Sequence, residues 1–306
     1  MSGTGVTQAL SAPRRRRRFS LKEALLFLAF VGPNVALIAV FTYRPLIVNV
    51  YYSTLKWDIS SDFATKVGLG NYREFFRSGE AGHVLLTTAI FTVATVGLSL
   101  ALGLLVAVAL NRKLPGVGFA QATVFAPYVL SGFAVALLWL YIFDPNIGAL
   151  GAILRSIHLT SPDWINNPRL TLVMVIIVYV WKNLGYAAVI YLAGLQAVPT
   201  DILEAAELDG ASAIRRFFSV TFPLLSPTTF FLLVTVMLNS LQAFDLLIGL
   251  DKLGHGAKTL IFDAYLTGFY DGDAGMSATM STVLFGLLAV LTLFQLVFLE
   301  RKVHYR

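Results

Sequence analysis

The sequence predicts an all-α integral membrane protein with six transmembrane helices. Of its 306 residues, 57% are hydrophobic and 13% are charged, whereas soluble domains are nearer half apolar and a quarter charged. The apolar residues are also grouped into six stretches, each long enough to cross a bilayer core, which takes about 20 apolar residues in a helix. So few polar groups could not cover a soluble surface of this size, and lipid is therefore the expected solvent.

The six stretches contain almost no charge. They are Ala24–Tyr43, Val84–Leu110, Val117–Phe143, Leu170–Val198, Phe217–Phe244 and Met276–Leu299. The fourth contains Lys182, and the others contain no Asp, Glu, Lys or Arg. Because each charge at the bilayer centre costs about 2.5–3.5 kcal/mol on an insertion scale, charge-free runs of this length strongly indicate spans.

The basic residues predict the orientation of the spans. Six spans place both termini on one side, and that side carries most of the Lys and Arg in short segments: Arg14 to Arg18, Lys22, Arg112, Lys113, Arg215, Arg216, Arg301, Lys302 and Arg306. Short basic loops stay cytoplasmic, so we expect both termini inside. The predicted divisions are a cytoplasmic N-terminus (1–23), a transmembrane domain (24–299) and a cytoplasmic C-terminus (300–306).

The arginine run before the first span favours a topology signal over a nucleic-acid site. The first apolar run is long enough to span, and Thr42–Pro45 offers no small-residue cleavage site, so a cleaved signal peptide is not expected. Three longer loops are expected outside, at Arg44–His83, Asp144–Arg169 and Asp245–Gly275. The first of these loops is long enough for a short surface helix or two.

The fourth and fifth spans are joined by a short cytoplasmic helix. We expect Thr200 or Asp201 to cap its start, since Glu204 follows Asp201 at the spacing of a capping box. Gly210 should end it. A helix of about ten residues is about 15 Å long and too short to span. Its small and apolar residues indicate a docking element, and the alternative is a helix packed back onto its own bundle.

Several polar residues lie at membrane depth. Lys182 could attract an anionic substrate, or it could sit near a helix end or bond a backbone carbonyl. At the end of the fifth span, Asn239, Ser240, Gln242 and Asp245 are costly in lipid unless they face protein or water. They are candidates for a substrate path, with interhelical hydrogen bonding as the alternative and the outer interface as the alternative place for Asp245.

Small residues recur along the second span. Ser99, Gly103 and Ala107 are four residues apart, with Gly97 and Ala101 alongside. This spacing permits close helix contact, either within the chain or with a partner.

The sequence shows no pattern typical of an enzyme. It has no cysteine, and its four histidines are scattered without metal-ligand spacing. The segment Gly254–Thr259 resembles a phosphate loop, but Lys252 occupies the position of the first glycine and Ala257 precedes the lysine. We therefore expect no catalytic site and no metal site.

The segment Glu204–Ala211, followed by Ile214–Phe218, Pro223 and Pro227, resembles the EAA loop of binding-protein-dependent ABC importer permeases. That family places a glycine four residues after the last alanine, as Gly210 is here, and an Ile-x-Leu-Pro about ten residues further on. This chain has Val220-Thr221-Phe222-Pro223 there, so both replacements stay apolar.

Other segments resemble the sugar and glycerol-phosphate branch of the family, which has a MalF-like fold. They are Gly68–Tyr72, Ala126–Tyr128, Leu138-Trp139, Phe143–Pro145, Trp181-Lys182 and Ala193–Pro199. Within the branch, Ala213–Phe218, Phe230–Val234, Gly268-Phe269 and Lys302–Tyr305 are most similar to permeases for sn-glycerol 3-phosphate. The chain departs from many members of the family at Leu250–Gly256, in the third outer loop, where they carry a Thr-Gly-Gly-Gly-Pro run.

The resemblance implies a type I ABC importer permease in the bacterial inner membrane. It implies a coupling loop at about 199–227, in which Glu204, Ala205, Ala206, Asp209 and Gly210 contact a separate ATPase. The implied partners are a second permease subunit, an ATPase dimer that holds ATP and Mg, and an extracytoplasmic substrate-binding protein. It also implies that the fifth span, from Asn239 to Gln242, lines the binding cavity.

The expected substrate is sn-glycerol 3-phosphate or a glycerophosphodiester, with a mono- or oligosaccharide as the alternative. A different class, the ion-coupled secondary transporter, usually carries broken helices in matched halves and intramembrane acids. Six spans without an internal acid fit that class poorly. A channel or an assembly scaffold is a weaker alternative still.

Overall fold

The computed structural model of the protein describes residues 21–112, 116–252 and 254–299. The chain divides into two units, Met1–Val48 and Asn49–Arg306. The predicted cytoplasmic termini, apart from residues 21–23, lie outside the described residues, and so does the basic run Arg14–Arg18.

The first span is longer than the sequence predicts. Helix α1 (Leu21–Ile38) leads into a π-helical turn, Ala39–Tyr43, and then into α2 (Arg44–Tyr52), which continues into the second unit. The apolar run covers Leu25–Tyr52, so the predicted end at Tyr43 was too early. A proline lacks an N–H and its ring displaces the carbonyl four residues before it. The wider π turn just before Pro45 accommodates this, and it is closed by the Arg44 amide donating to the Ala39 carbonyl.

The second unit contains the other elements. Its helices are α3 (Gly70–Arg77), α4 (Glu80–Leu110), α5 (Val117–Val129), α6 (Gly132–Phe143), α7 (Ala149–Ser156), α8 (Pro168–Gln196), α9 (Thr200–Leu208), α10 (Ala213–Arg216), α11 (Phe222–Leu224), α12 (Ser226–Leu241), α13 (Asp245–Leu250), α14 (Leu260–Phe269) and α15 (Ala274–Phe294). Two further π turns are Phe217–Thr221 and Gln295–Leu299. A two-residue antiparallel ladder joins β1 (Leu55–Lys56) to β2 (Thr65–Lys66), with Leu55 opposite Lys66.

Two of the six predicted spans are broken, which is a correction to the sequence analysis. Among the described residues, four helices are long and apolar enough to cross a bilayer, and two bent pairs bring the number to six. The third span is α5 plus α6, bent by 99°, and the fifth is residues 213–224 plus α12, bent by 64°. Hydropathy does not detect these bends because both halves of each pair are apolar.

Prolines and an asparagine account for several of these helix ends. In the fifth span, Pro223 follows a π turn closed by the Phe222 amide on the Phe217 carbonyl, and Pro227 lies in the first turn of α12. Both prolines therefore sit where a missing N–H costs least. Before the fourth span, the Asn167 side chain accepts the Arg169 and Leu170 amides and so caps α8.

Helices α4 and α8 form the centre of the second unit. The small-residue stripe of the second span faces α8 of the same chain, because Gly103 packs so closely that a Cβ there would lie 2.6 Å from the Ala187 Cβ. Ser99 and Ala107 are buried along the same stripe. Gly97, in contrast, has open space beside it. Absence of a side chain at Gly103 therefore allows the close contact within this subunit.

The end of the second unit that carries the β1–β2 hairpin is tied together by polar side chains. Asn71 donates to the carbonyls of Ser53 and Leu55 at 3.0 and 2.8 Å. From the start of α15, Thr279 donates to the same Ser53 carbonyl at 3.2 Å, and Asn49 donates to the Ala278 carbonyl at 3.1 Å. The β1–β2 hairpin is thereby fixed to the last span.

The third outer loop is more ordered than its glycine-rich sequence suggests. It contains α14, which the sequence analysis did not predict. The buried Asp251 carboxylate accepts the backbone amides of His255, Gly256 and Ala257 at 2.7–2.9 Å. These bonds hold the backbone of residues 255–257 against Asp251.

Candidate functional sites

The predicted cytoplasmic helix is present as α9 (Thr200–Leu208), but its predicted side-chain cap is wrong. The N-cap is Pro199, and neither Thr200 nor Asp201 bonds a backbone amide of the first turn. Proline sets an extended conformation (φ −62°, ψ 133°) from which the helix begins. The capping-box spacing of Asp201 and Glu204 therefore has no structural role here.

The end of α9 follows the prediction. Gly210 has φ +77°, a left-handed conformation that glycine adopts without strain. Its amide bonds the Glu207 carbonyl, and the Ala211 amide bonds the Ala206 carbonyl at 3.1 Å. This pair of bonds is the Schellman motif. It terminates the helix and turns the chain toward the fifth span.

The surface of α9 is open to solvent in this chain. Glu204, Ala205 and Asp209 are exposed and Ala206 is half-buried. Two large apolar side chains beside them are also exposed, Leu208 by 89% and Ile214 by 74%. Apolar side chains grouped on a surface that faces water mark an interaction site.

A charged pair connects α9 to the start of the fifth span. Arg216, at the end of α10, forms an ion pair with Glu207. Ser212 caps α10 by accepting the Arg215 amide. Behind the pair lies a groove of about 210 Å³ lined by Val108, Asn111, Leu195, Val198, Leu203, Ala213, Arg216, Phe217 and Thr221. The groove thus lies between α9 and the adjoining ends of the second, fourth and fifth spans.

The polar residues at the end of the fifth span do not share one environment. Ser240 is buried, and its hydroxyl lies 2.7 Å from that of Thr95 on α4, which is interhelical hydrogen bonding. Asn239, Gln242 and Asp245 are exposed in this chain. Exposed amide and carboxylate groups at this depth require protein or water beside them.

Lys182 bonds a backbone carbonyl, one of the alternatives that the sequence left open. It is the middle residue of α8, and its Nζ donates to the Tyr128 carbonyl at 3.1 Å. The same ammonium lies 5.5 Å from the centre of the Tyr128 ring, within cation–π range. Tyr128 is one residue from the end of α5, at the break in the third span.

Asp245 lies on the other side of the same break. It is the first residue of α13, and its carboxylate packs against Gly132, the first residue of α6, so closely that a Cβ at Gly132 would collide with it. The structure therefore brings together Lys182 and Asp245, two of the predicted path residues. Tyr128 and Gly132 complete this cluster and were missed, although Pro127 was a possible signal for a break.

The chain matches the family model described as "Binding-protein-dependent transport system inner membrane component" over residues 99–305. It is 35% identical over 284 residues to the sn-glycerol-3-phosphate transport system permease protein UgpA of Agrobacterium fabrum, covering 90% of this chain and 94% of the relative. It is 34% identical to the UgpA protein of Yersinia pestis, with the same coverage.

A solved structure of similar fold is a bacterial ABC transporter involved in the import of the acidic polysaccharide alginate. Its matched chain has a TM-score of 0.81 and 20% sequence identity, covering 92% of this chain and 97% of that chain. At this identity the likeness shows the fold.

Proposed function

Because the chain belongs to the family of binding-protein-dependent transport system inner membrane components, we propose that it imports sn-glycerol 3-phosphate or glycerophosphodiesters as one of two permease subunits. The observation that carries the substrate class is the 35% identity to a permease named for sn-glycerol 3-phosphate transport over 90% of this chain. As a multi-pass inner membrane permease it forms half of the translocation path. The second permease forms the other half.

ATP hydrolysis takes place on a separate ATPase dimer, which holds ATP and Mg. The helix α9 docks in a cleft of one ATPase subunit, and Glu204, Ala205, Ala206, Asp209 and Gly210 make the contact. The exposed Leu208 and Ile214 support this assignment, since apolar side chains grouped on a surface mark interaction sites. A ligand shifts a conformational equilibrium only as far as it binds the two states differently. The ATPase must therefore bind one conformational state of the permease more tightly than the other through this loop.

The substrate path runs beside the exposed side chains of Asn239, Gln242 and Asp245. A substrate-binding protein delivers the solute from outside, and both termini of this chain lie in the cytoplasm. The polar side chains are exposed in the isolated chain because the second permease and the aqueous cavity cover them in the complex. Ser240 supports the path from behind through its bond to Thr95.

Glu204→Lys and Gly210→Pro should each abolish uptake while leaving membrane insertion intact. The lysine reverses the charge at the ATPase contact, and proline lacks the amide that bonds Glu207 and cannot adopt the positive φ of Gly210. Uptake of radiolabelled solute and the amount of chain in the membrane are the two measurements. Normal transport by either variant would refute the coupling role.

The substrate is tested with the purified complex in liposomes together with its binding protein. We expect sn-glycerol 3-phosphate to stimulate ATP hydrolysis. Stimulation by a neutral sugar alone would assign the chain to sugar import instead. An ATPase and a second permease should co-purify with this chain, and ion-driven uptake by a lone homodimer would exclude the ABC mechanism.

A further inference from the structure

The break in the third span leaves backbone groups without helical partners inside the bilayer. Helix α5 ends at Val129 and α6 begins at Gly132, with Leu130 and Ser131 both extended (ψ 148° and 129°). In a continuous helix the Tyr128 carbonyl would accept the Gly132 amide. At the break this hydrogen bond is absent, so the Tyr128 carbonyl and the first amides of α6 each need another partner. Lipid has no groups that could form these hydrogen bonds.

Lys182 satisfies the end of the first half-helix. Its Nζ donates to the Tyr128 carbonyl at 3.1 Å, and its positive charge lies at the C-terminal, negative end of the α5 dipole. The lysine is half-buried and is held over the Tyr128 ring. The ammonium group therefore contacts Tyr128 through both its carbonyl and its ring.

Asp245 lies at the start of the second half-helix. Its carboxylate packs on Gly132, where any side chain would collide with it. A negative charge in the first turn of α6 is stabilised by the N-terminal, positive end of that helix dipole. Lys182 and Asp245 carry opposite charges on the two sides of the break, without a direct ion pair between them. The two charges therefore match the two half-helix ends and each other.

The surrounding contacts fix α5 to α8 at the same level. Gly185, three residues after Lys182 and on the same face of α8, packs directly against the Val124 carbonyl. The next residue, Tyr186, stacks on Tyr128 with ring centroids 5.0 Å apart. The position of the break relative to α8 is thereby determined by Lys182, Gly185 and Tyr186 together.

We propose that Lys182 and Asp245 are positioning residues that hold the two halves of the third span beside the substrate path, and that Lys182 is not a ligand for the substrate anion. The assignment rests on the proposed function in one respect, namely that a path lies beside Asp245. It follows that losing the Lys182 charge impairs every transport cycle to the same extent, whatever charge the solute carries.

The first test separates positioning from substrate binding by kinetics. In the reconstituted complex with its binding protein, Lys182→Met should lower the maximal uptake rate by about tenfold or more and change the half-saturating concentration by less than about twofold. Lys182→Arg should retain most of the rate because it keeps the charge and a donor. An about tenfold rise in the half-saturating concentration at an unchanged maximal rate would overturn the proposal.

Asn183→Ala is the matched control. Asn183 is the neighbouring half-buried residue, and its side chain bonds the Tyr179 carbonyl of its own helix. It should leave the maximal rate within about twofold of the unmodified chain. A loss as large as that of Lys182→Met would show that any polar change at this level of α8 is harmful, and would overturn the specific role of the lysine.

The second test needs no substrate and uses the melting temperature of the detergent-solubilised complex. Lys182→Met and Asp245→Asn should each lower the melting temperature, whereas Lys182→Arg should leave it close to that of the unmodified complex. Exchanging the charges, Lys182→Asp with Asp245→Lys, should not restore it, because each charge would then face the wrong helix end. If the exchange restores the melting temperature, the two residues act only as an ion pair and the match to the helix ends is wrong. If Lys182→Met melts at the temperature of the unmodified complex, Lys182 has no positioning role.

The two tests separate failure of this proposal from failure of the proposed function. If sn-glycerol 3-phosphate does not stimulate the unmodified complex, the substrate assignment is wrong, and the melting experiment still decides the role of Lys182. If stimulation is normal and melting is unaffected by Lys182→Met, the substrate assignment stands and the positioning role is wrong.

Discussion

At the scale of single residues, Asp263 is an acid held in a buried place outside the spans. It is 1% exposed, and its carboxylate lies 2.8 Å from Lys258, which also contacts Glu80 at 2.7 Å. Burial raises the pKa of Asp263 above its ordinary value, although the ion pair with Lys258 acts against this. Burial also acts to lower the pKa of Lys258, but its bonds to Asp263 and Glu80 raise it overall.

The raised pKa predicts a pH dependence of stability. Because folded Asp263 holds its proton at higher pH than the unfolded chain, ionisation of this group costs stability as pH rises through the folded pKa. The unmodified protein should therefore gain melting temperature relative to Asp263→Asn as pH falls from neutral toward about 3.9, the ordinary carboxyl value. Melting of the two solubilised proteins across this range is the measurement.

Asp58 provides a control of opposite sign. Hydrogen bonds from Ser60 lower the pKa of this exposed carboxyl, so its contribution to stability is present above the unfolded pKa and is lost as pH falls through the folded value. Relative to Asp58→Asn, the unmodified protein should lose stability on acidification. If the difference in melting temperature between Asp263→Asn and the unmodified protein stays constant with pH, burial does not raise the pKa of Asp263 as proposed.

Individual residues differ in how far the sequence predicts them. Lys182 is conspicuous because a charge interrupts an apolar run, and its bonding to a carbonyl was among the alternatives. Its actual partner, the Tyr128 carbonyl, could not be identified, since that carbonyl becomes available only where the third span breaks. The break in turn depends on tertiary contacts at Gly132 and Gly185, which lie far apart in the sequence.

At the scale of elements, the connection between α9 and the fifth span depends on the ion pair of Glu207 and Arg216. Exposed pairs contribute only about 0.2–1 kcal/mol to stability, and Glu207 is 70% exposed. The pair therefore matters for the direction in which α9 points more than for folding. It lies next to the π turn Phe217–Thr221, which precedes α11 and α12 in the chain.

Reversing the charge at Arg216 should uncouple transport. We expect Arg216→Glu to reduce uptake by about tenfold, because two acids then repel across the loop. Adding Glu207→Arg to the same chain should restore much of it. Uptake per ATP hydrolysed in proteoliposomes is the measurement.

The adjacent arginine tests whether this rescue is specific. Arg215 forms no ion pair among the described residues, so Glu207→Arg should not rescue Arg215→Glu. Equal rescue of both arginine variants would show that only the net charge of the loop matters.

Elements were predicted best where local chemistry determines them. Gly210 ends α9 because the required left-handed conformation belongs to that residue itself. The cap of α9 was predicted wrongly because Pro199, and not the side chain of Thr200 or Asp201, precedes its first turn. The bends at Leu130-Ser131 and at Leu225 were not predicted, because average hydropathy carries no information about the direction of the helix axis.

At the scale of the whole molecule, orientation is the feature that basic residues predict and that a single labelling experiment can check. The chain has no cysteine, so one introduced thiol is the sole target for a maleimide. Ser156→Cys on an outer loop should react with a membrane-impermeant maleimide in intact spheroplasts. Arg112→Cys on an inner loop should react only after the membrane is permeabilised. Labelling of Arg112→Cys in intact spheroplasts would invert the topology.

The contacts between the β1–β2 hairpin region and the last span have a consequence for biogenesis. Thr279 and Ala278 are 226 and 229 residues from the partners that they bond, Ser53 and Asn49. At synthesis rates of about 5–20 residues per second, these bonds form on the order of 10–50 s after the hairpin emerges. Until then the last span is absent, and the hairpin region lacks the hydrogen bonds that join it to α15. A nascent chain that stalls before α15 should therefore expose this unfinished edge to the proteases of membrane quality control.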